Sequence, residues 1–124
     1  MKKAPIRTFQ DLDVYRLAHG LAMGIFRETK KFPKDEKYSL VDQIRRSSRS
    51  VAANIAEGWG KRHYPELFKR QLVDAMGSVE ETKSWLLFSL DCGYMRREEK
   101  EEMFQKYEEL GAKLFKLHEN WKSF

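Results

Sequence analysis

Three arginines lie close together on a segment that the sequence predicts to be helical. At 100° per residue, Arg45, Arg46 and Arg49 fall within one arc of about 100°, which points away from the apolar residues of the same segment. A guanidinium group can bind two phosphate oxygens at once, and each phosphate that it neutralises releases counterions. The chemistry that this flank could perform is therefore the binding of phosphate groups, such as those of RNA or DNA.

The same arginines have a second interpretation. Asp42 precedes Arg45 and Arg46 by three and four residues, a spacing that permits ion pairs along a helix. Glu57, or an acid of a neighbouring subunit, could neutralise the others. Phosphate binding and pairing within or between subunits both remain open.

A second basic group follows the same predicted helix. Lys61 and Arg62 come shortly after Trp59, in a connection between two predicted helices. Basic side chains beside an aromatic ring are typical of surfaces that bind a nucleic-acid backbone and stack on its bases. Lys61 and Arg62 therefore join the arginines as candidate nucleic-acid contacts. A tryptophan at the end of an apolar stripe is more often a core or interface residue, which we expect for Trp59.

The sequence contains no set of residues with the spacing of a catalytic or metal site. Asn54, Glu57 and Gly58 lie together, but no nucleophile or base accompanies the carboxylate, so we expect structural roles near a helix end. The three histidines lack the i, i+4 pairing of a helical metal site. We therefore expect a protein that is not an enzyme and that uses no metal or cofactor.

Four segments with helical periodicity must position these residues. We predict helices over about residues 8–32, 35–58, 65–92 and 96–121, and none of the segments alternates as a half-buried strand does.

Residues that typically begin or end helices give these predicted bounds. Thr8 and Asp11 have the spacing of a capping box, and Pro33 stops the first helix. Gly58 suits the left-handed end of the second helix, while Pro65 and Gly93 suit the beginning and end of the third.

An apolar stripe runs along each predicted helix. The stripe of the third helix is close to a coiled-coil seam, with steps of three and four between Phe68, Leu72, Ala75, Val79, Thr82, Leu86 and Leu90. Short connections between long helices force neighbours to be antiparallel. The predicted fold is an all-α, antiparallel up-and-down four-helix bundle that forms a single domain over residues 1–124.

The third segment carries more apolar surface than one packing face needs. Trp85, Leu87 and Phe88 lie off its seam, and an exposed apolar patch of that size usually marks an interaction surface. Gly77 and Ser78 lower helix propensity in the same segment, which is tolerable where another helix approaches closely. We therefore predict an oligomer interface formed by Trp85, Leu87 and Phe88 together with Trp59.

Charge and hydropathy limit the cellular setting. Residues 1–63 hold 14 Lys and Arg against 7 Asp and Glu, whereas residues 64–124 hold 10 against 12. Such asymmetry favours either a positive face for phosphates or complementary faces between copies of the chain. The apolar runs are far shorter than the roughly 20 residues of a membrane span, and no signal-peptide pattern is present. We expect a cytoplasmic protein that contacts no membrane, and its single cysteine agrees with that compartment.

Ordered motifs over about residues 8–95 resemble the family of four-helix bundle proteins encoded in intervening sequences of bacterial 23S rRNA genes. The motifs are FQDLDVY at 9–15, FPKDEKYSL at 32–40, QIRR at 43–46, SVAANIAEG at 50–58 and AMGSVEE at 75–81. The resemblance implies an all-α bundle that assembles as a homopentamer. The chain is also similar to the accessory variability protein of diversity-generating retroelements, which implies a reverse transcriptase and nucleic acid as partners.

The sequence thus predicts a non-enzymatic homo-oligomer that presents a basic surface to RNA or DNA. The alternative is a protein-interaction scaffold or accessory subunit, in which the basic flank pairs with acids of neighbouring subunits or of a partner protein.

Overall fold

A computed structural model describes residues 5–122 of the 124-residue chain. Two short 3-10 helices, Phe9–Asp11 and Lys34–Glu36, precede the first and second of four α-helices. The α-helices are α1 (Asp13–Thr29), α2 (Leu40–Gly60), α3 (Pro65–Asp91) and α4 (Arg97–Asn120). The described range contains no β-strand, so the predicted all-α class is confirmed.

The four helices pack as a bundle in which chain neighbours touch. α1 packs against α2 and α4, and α3 also packs against both of them, while within the described range the diagonal pairs α1–α3 and α2–α4 have no Cα atoms within 8 Å of each other. Ser47 of α2 bonds to Thr82 of α3, whereas Asn54, later on α2, bonds to the earlier Gln71 on α3. The neighbouring helices α2 and α3 are therefore antiparallel, as in an up-and-down bundle.

The predicted apolar stripes meet along the bundle axis. Burying an aliphatic or aromatic side chain stabilises the fold by about 1.5–3 kcal/mol, so the stripes supply most of the driving force for packing. The largest side chains with almost no exposed surface come from all four helices: Ile25, Ile44, Val51, Ile55, Phe68, Leu72, Val79, Thr82, Leu86, Tyr107, Leu110 and Leu114.

The first two helices begin later than the sequence predicts. Thr8 and Asp11 do form a capping box, but it caps the 3-10 helix Phe9–Asp11, and the extended backbone of Leu12 separates that turn from α1. Ser39 has a non-helical backbone and likewise separates the turn Lys34–Glu36 from α2. Local capping signals therefore mark short turns here instead of the long helices.

Gly58 has a different role from the predicted one. α2 continues through it to Gly60, and among the described residues only Gly93 has a positive φ, of 78°. A Cβ on Gly58 would lie 3.1 Å from the Gln71 Cβ and 3.2 Å from the Phe68 ring. Gly58 therefore allows α3 to approach α2 closely, whereas Gly93 ends α3 as predicted.

A row of polar side chains crosses the interface between α2 and α3. Ser47 accepts from the Thr82 hydroxyl at 2.8 Å, and the Ser50 and Ser78 hydroxyls lie 2.9 Å apart. We call the whole row the α2–α3 seam; its members are Ser47, Ser50, Asn54, Gln71, Ser78 and Thr82. Polar groups that bond only to specific partners fix the register of two helices more strictly than apolar contacts do.

Ion pairs join α1 to α4 at both ends. The Lys113 ammonium lies 2.7 Å from an Asp13 oxygen. At the other end, the Lys31 ammonium lies 2.9 Å from Glu99 and 2.6 Å from Glu28. Hydrogen bonds from the backbone N–H of Arg96 and from Lys31 lower the pKa of Glu99 from its ordinary value to about 2.

Candidate nucleic-acid interface

Three cationic side chains surround one aromatic ring where α1 packs against α2. Around the ring centroid of Phe26, the Lys30 Nζ lies at 4.7 Å, the Arg45 Cζ at 4.8 Å and the Arg49 Cζ at 5.9 Å. A cation within about 6 Å of a ring centroid is attracted by the electron-rich ring face. We call these four residues the Phe26 cluster.

Helical spacing on two antiparallel helices builds the cluster. Phe26 lies on α1, and Lys30, four residues later, is the C-cap of that helix with helical backbone angles. Arg45 and Arg49 are four residues apart on α2, so each pair lies on one face. The packing of α1 against α2 then brings the two faces together. Phe26 and Lys30 were not among the residues predicted to bind phosphate, although their i, i+4 spacing was visible in the sequence.

Arg45 is held in place by the end of α1. Its Nε donates to the hydroxyl of buried Thr29 at 2.9 Å, and its Nη2 donates to the Phe26 carbonyl at 3.4 Å. The last carbonyls of a helix carry partial negative charge, which favours a cation at this position. Arg45 is therefore oriented by the fold, whereas the side chain of Arg49 is exposed and has no hydrogen bond within the described range.

The cluster has no internal counter-charge. Within residues 5–122, no carboxylate lies within 4.0 Å of the charged groups of Lys30, Arg45 or Arg49. The predicted partner Asp42 contacts only Arg46, at 4.0 Å, with both side chains largely exposed. Such exposed pairs contribute about 0–1 kcal/mol. Intrasubunit pairing therefore leaves the positive charge of this face in place.

The structure does not bring Lys61 and Arg62 to the same place. Lys61 lies 12 residues beyond Arg49, which corresponds to about 18 Å along a helix. Its ammonium donates to Gln71 Oε1 at 2.8 Å and so extends the α2–α3 seam. Arg62 donates to the Trp59 carbonyl at 3.0 Å, and its guanidinium lies 4.1 Å from the centroid of the Trp59 ring. The five predicted basic residues thus form two separate groups.

The remaining predicted structural residues behave differently from one another. Asn54 accepts from Gln71 at 2.8 Å and donates to the Ser50 carbonyl at 2.9 Å, so its amide connects α2 to α3. Glu57 is exposed and its carboxylate makes no hydrogen bond or ion pair with any other described residue, so it is not the bonded structural acid that we expected. Solvation explains the difference: an exposed carboxylate needs no protein partner.

The predicted interface residues are only partly exposed. Trp59 has 7% of its surface exposed and belongs to the core. Trp85 is half-buried and packs on Phe88, with ring centroids 5.7 Å apart. Leu87 and Phe88 are 44% and 54% exposed. Apolar surface available to another molecule therefore remains on α3, chiefly at Leu87 and Phe88.

Gly77 lies exposed on α3, and a Cβ there would meet nothing within 4 Å. Its predicted role in close packing is absent within the subunit. Val73, one turn earlier, is 50% exposed. We call Val73, Gly77, Leu87 and Phe88 the outer α3 face.

Two kinds of site are not present in the described range. No three His, Cys, Asp or Glu side chains of residues 5–122 are grouped so that they could hold a metal ion. None of the helices in that range combines the length and the apolarity needed to cross a membrane.

Comparisons with known proteins agree with the fold and the motifs. One solved structure, described as a protein of unknown function from the S23 ribosomal protein family of Bacteroides thetaiotaomicron, is 25% identical to this chain. The match covers 86% of this chain and 96% of that one, with a TM-score of 0.78. No curated protein matches. The profile described as 23S rRNA-intervening sequence protein matches residues 10–116. With that match over most of its length, the chain belongs to the 23S rRNA-intervening sequence protein family.

Proposed function

We propose that this protein is a non-enzymatic, cytoplasmic homo-oligomer that binds the phosphate backbone of RNA or DNA through the Phe26 cluster and Arg46. One observation carries the proposal: three cations lie within 6 Å of one ring centroid and no carboxylate within 4.0 Å neutralises them. Like charges gathered in this way repel one another, and a bound polyanion removes that repulsion.

The contacts of the cationic side chains give them different roles in phosphate binding. Arg45 is fixed by Thr29 and the end of α1, so it provides a charge at a defined position. The side chains of Lys30, Arg46 and Arg49 form no hydrogen bond within residues 5–122, so their donors are available to phosphate oxygens. Contacts of this kind position a backbone without reading its sequence. Binding should therefore depend on salt and little on base sequence.

A salt titration tests this proposal. Short RNA and duplex DNA are titrated with the protein at about 50 mM and 200 mM salt. We expect the affinity to fall steeply with salt, and Arg49→Gln to weaken binding and to reduce the salt slope by about 1. Arg70→Gln, which removes an exposed arginine from α3, is the matched control and should bind as the wild type does. Absence of binding at low salt, or equal losses in both variants, contradicts the proposal.

The outer α3 face supports a second candidate function, a protein-interaction scaffold. Exposed apolar side chains beside an open glycine suit contact with another protein surface. In this alternative the Phe26 cluster pairs with acids of a neighbouring copy, and the family resemblance implies five copies. The excess of acids in residues 64–124 favours such pairing.

Charge reversal distinguishes the two functions. If Arg49→Glu abolishes nucleic-acid binding while light scattering shows an unchanged oligomer, the cluster serves the nucleic acid. If the same variant dissociates an oligomer, the cluster belongs to a subunit interface and the scaffold is favoured.

A further inference from the structure

A groove between α1 and α2 leads directly from the Phe26 cluster. It has a volume of about 340 Å³, near the lower end of the range for small-molecule sites. Apart from Arg49, which belongs to both, the residues that line it have no part in the proposed backbone binding. We call it the α1–α2 groove; its lining includes Tyr15, His19, Met23, Arg49, Ala53 and Ala56.

One wall of the groove is a row of rings. The Phe9 and Tyr15 ring centroids lie 4.7 Å apart at 77°, and the Tyr15 and His19 centroids lie 5.8 Å apart at 35°. Tyr15 is half-buried against the core, so its position is fixed, while His19 on the next turn is exposed. The wall therefore offers a preformed aromatic surface to a planar ligand.

The other wall is made of small side chains. α2 contributes Ala52, Ala53 and Ala56, which leave space opposite the rings of α1. At one end this wall reaches Arg49, which also belongs to the Phe26 cluster. One guanidinium thus borders both the aromatic groove and the group of cations.

The groove and the Phe26 cluster lie one after the other along the same face of α1. Tyr15, His19, Met23 and Phe26 of α1 and Lys30 at its C-cap lie within one arc of about 80°. Eleven residues separate Tyr15 from Phe26, a rise of about 16 Å. A stacked single strand covers that length with about five nucleotides at 3.4 Å each.

We propose that the α1–α2 groove receives bases of single-stranded nucleic acid while the Phe26 cluster holds the adjoining phosphates. This inference rests on the proposed phosphate binding and adds the strandedness of the ligand. A cationic track beside aromatic side chains is the combination that binds single strands, because every base has a face that can stack. In a duplex the bases are paired and stacked on one another, so they cannot enter a side groove without melting.

Probes with and without bases test the inference. The unmodified protein is titrated with fluorescent oligothymidylate of about ten nucleotides, with an abasic strand of the same length, and with a duplex. An oligouridylate arm distinguishes RNA from DNA. All probes carry the same kind of phosphate charge. We expect the oligothymidylate to bind about tenfold tighter than the abasic strand, the ratio that one stacked base provides.

Substitutions in the groove test whether the affinity ratio between the intact and abasic strands depends on it. His19→Ala should reduce the ratio between the intact and abasic strands several-fold and leave the salt slope unchanged. Tyr15→Phe keeps the stacking surface and should preserve the ratio, whereas Tyr15→Ala should lower it. Phe115→Ala removes a ring that is 57% exposed on α4, away from the groove, and is the matched control. Circular dichroism checks that each variant remains helical.

The outcomes separate this inference from the proposed function. Equal, salt-dependent binding of intact and abasic strands overturns the groove while phosphate binding stands. No binding of any probe overturns both. Tighter binding of the duplex than of the single strand overturns the groove, and so does a change of oligomeric state in His19→Ala, because the groove would then contact a protein.

Discussion

Two arginines four residues apart on α2 have different tasks. Arg45 donates to Thr29 and to the end of α1, so it belongs to the architecture as well as to the Phe26 cluster. The Arg49 guanidinium makes no hydrogen bond or ion pair with a described residue and lies 5.9 Å from the centroid of the Phe26 ring. The same side-chain type therefore contributes differently to stability and to binding.

Substitution with glutamine should separate these contributions. Arg45→Gln removes a charged donor from a buried hydroxyl and should lower the free energy of unfolding by about 1.5–3 kcal/mol. Arg49→Gln should change it by less than about 0.5 kcal/mol. Urea unfolding followed by circular dichroism measures both values. Equal losses of stability would mean that Arg45 is not oriented by Thr29.

Replacing Gly58 or Gly77 by alanine should change the free energy of unfolding in opposite directions. Gly58→Ala places a Cβ against the Gln71 Cβ and the ring of fully buried Phe68, and neither neighbour can move freely. We expect it to lower the free energy of unfolding by about 1 kcal/mol, since overpacking exceeds the gain in helix propensity. Gly77→Ala meets open space and should raise it by about 0.5–1 kcal/mol in an isolated subunit. Thermal unfolding of the pair at low concentration checks the signs, and a stabilised Gly58→Ala contradicts the close approach.

Among the elements, α1 and α4 depend most on ion pairs for their connection. The carboxylate of Glu99 accepts from the Arg96 N–H at 3.0 Å, which caps α4, and from Lys31 at 2.9 Å, which holds the end of α1. One side chain therefore stabilises a helix start and a helix contact. Its effect depends on its charge.

The lowered pKa of Glu99 predicts how that effect changes with pH. Because the folded pKa is about 2 and the unfolded pKa is near the ordinary value of 4.5, the stabilisation is complete above pH 4.5 and is lost as the pH falls towards 2. Glu99→Gln should lower stability at neutral pH by about 1 kcal/mol, the size of a helix cap. The difference from wild type should shrink below about pH 4.5.

Urea unfolding at several pH values measures this difference. Glu102→Gln, at a largely exposed position on the same helix, is the matched control and should differ little from wild type at any pH. A Glu99→Gln deficit that persists unchanged to pH 2 would show that shape, not charge, stabilises the α1–α4 contact.

For the whole molecule, the question is what covers the outer α3 face. Phe88 is 54% exposed, and Gly77 is open to solvent although glycine weakens a helix. If copies of the chain meet there, Phe88→Arg should dissociate the oligomer and leave a folded subunit. Light scattering measures the mass, and Arg70→Gln serves as a control on the same helix. A wild-type protein that is monomeric at micromolar concentration contradicts the proposed assembly.

Much of the architecture could be predicted from local patterns. The four apolar stripes, Pro65 at the start of α3 and Gly93 at its end are properties of neighbouring residues, and the structure confirms them. The capping box of Thr8 and Asp11 was also visible, but a local signal could not tell a 3-10 turn from a long helix. Apolar patterns that repeat every three or four residues therefore predict the existence of a helix more accurately than capping signals predict where it begins.

The sequence by itself determined the helices, their inward faces and the arginine-rich flank of α2. Only the tertiary structure decided that Phe26 and Lys30 join Arg45 and Arg49, that Lys61 bonds to Gln71, and that Gly58 instead of Gly77 admits a neighbouring helix. The reason is that periodicity depends on residues a few positions apart. Contacts between helices depend on the register and rotation of two helices, which the packing of the whole core sets.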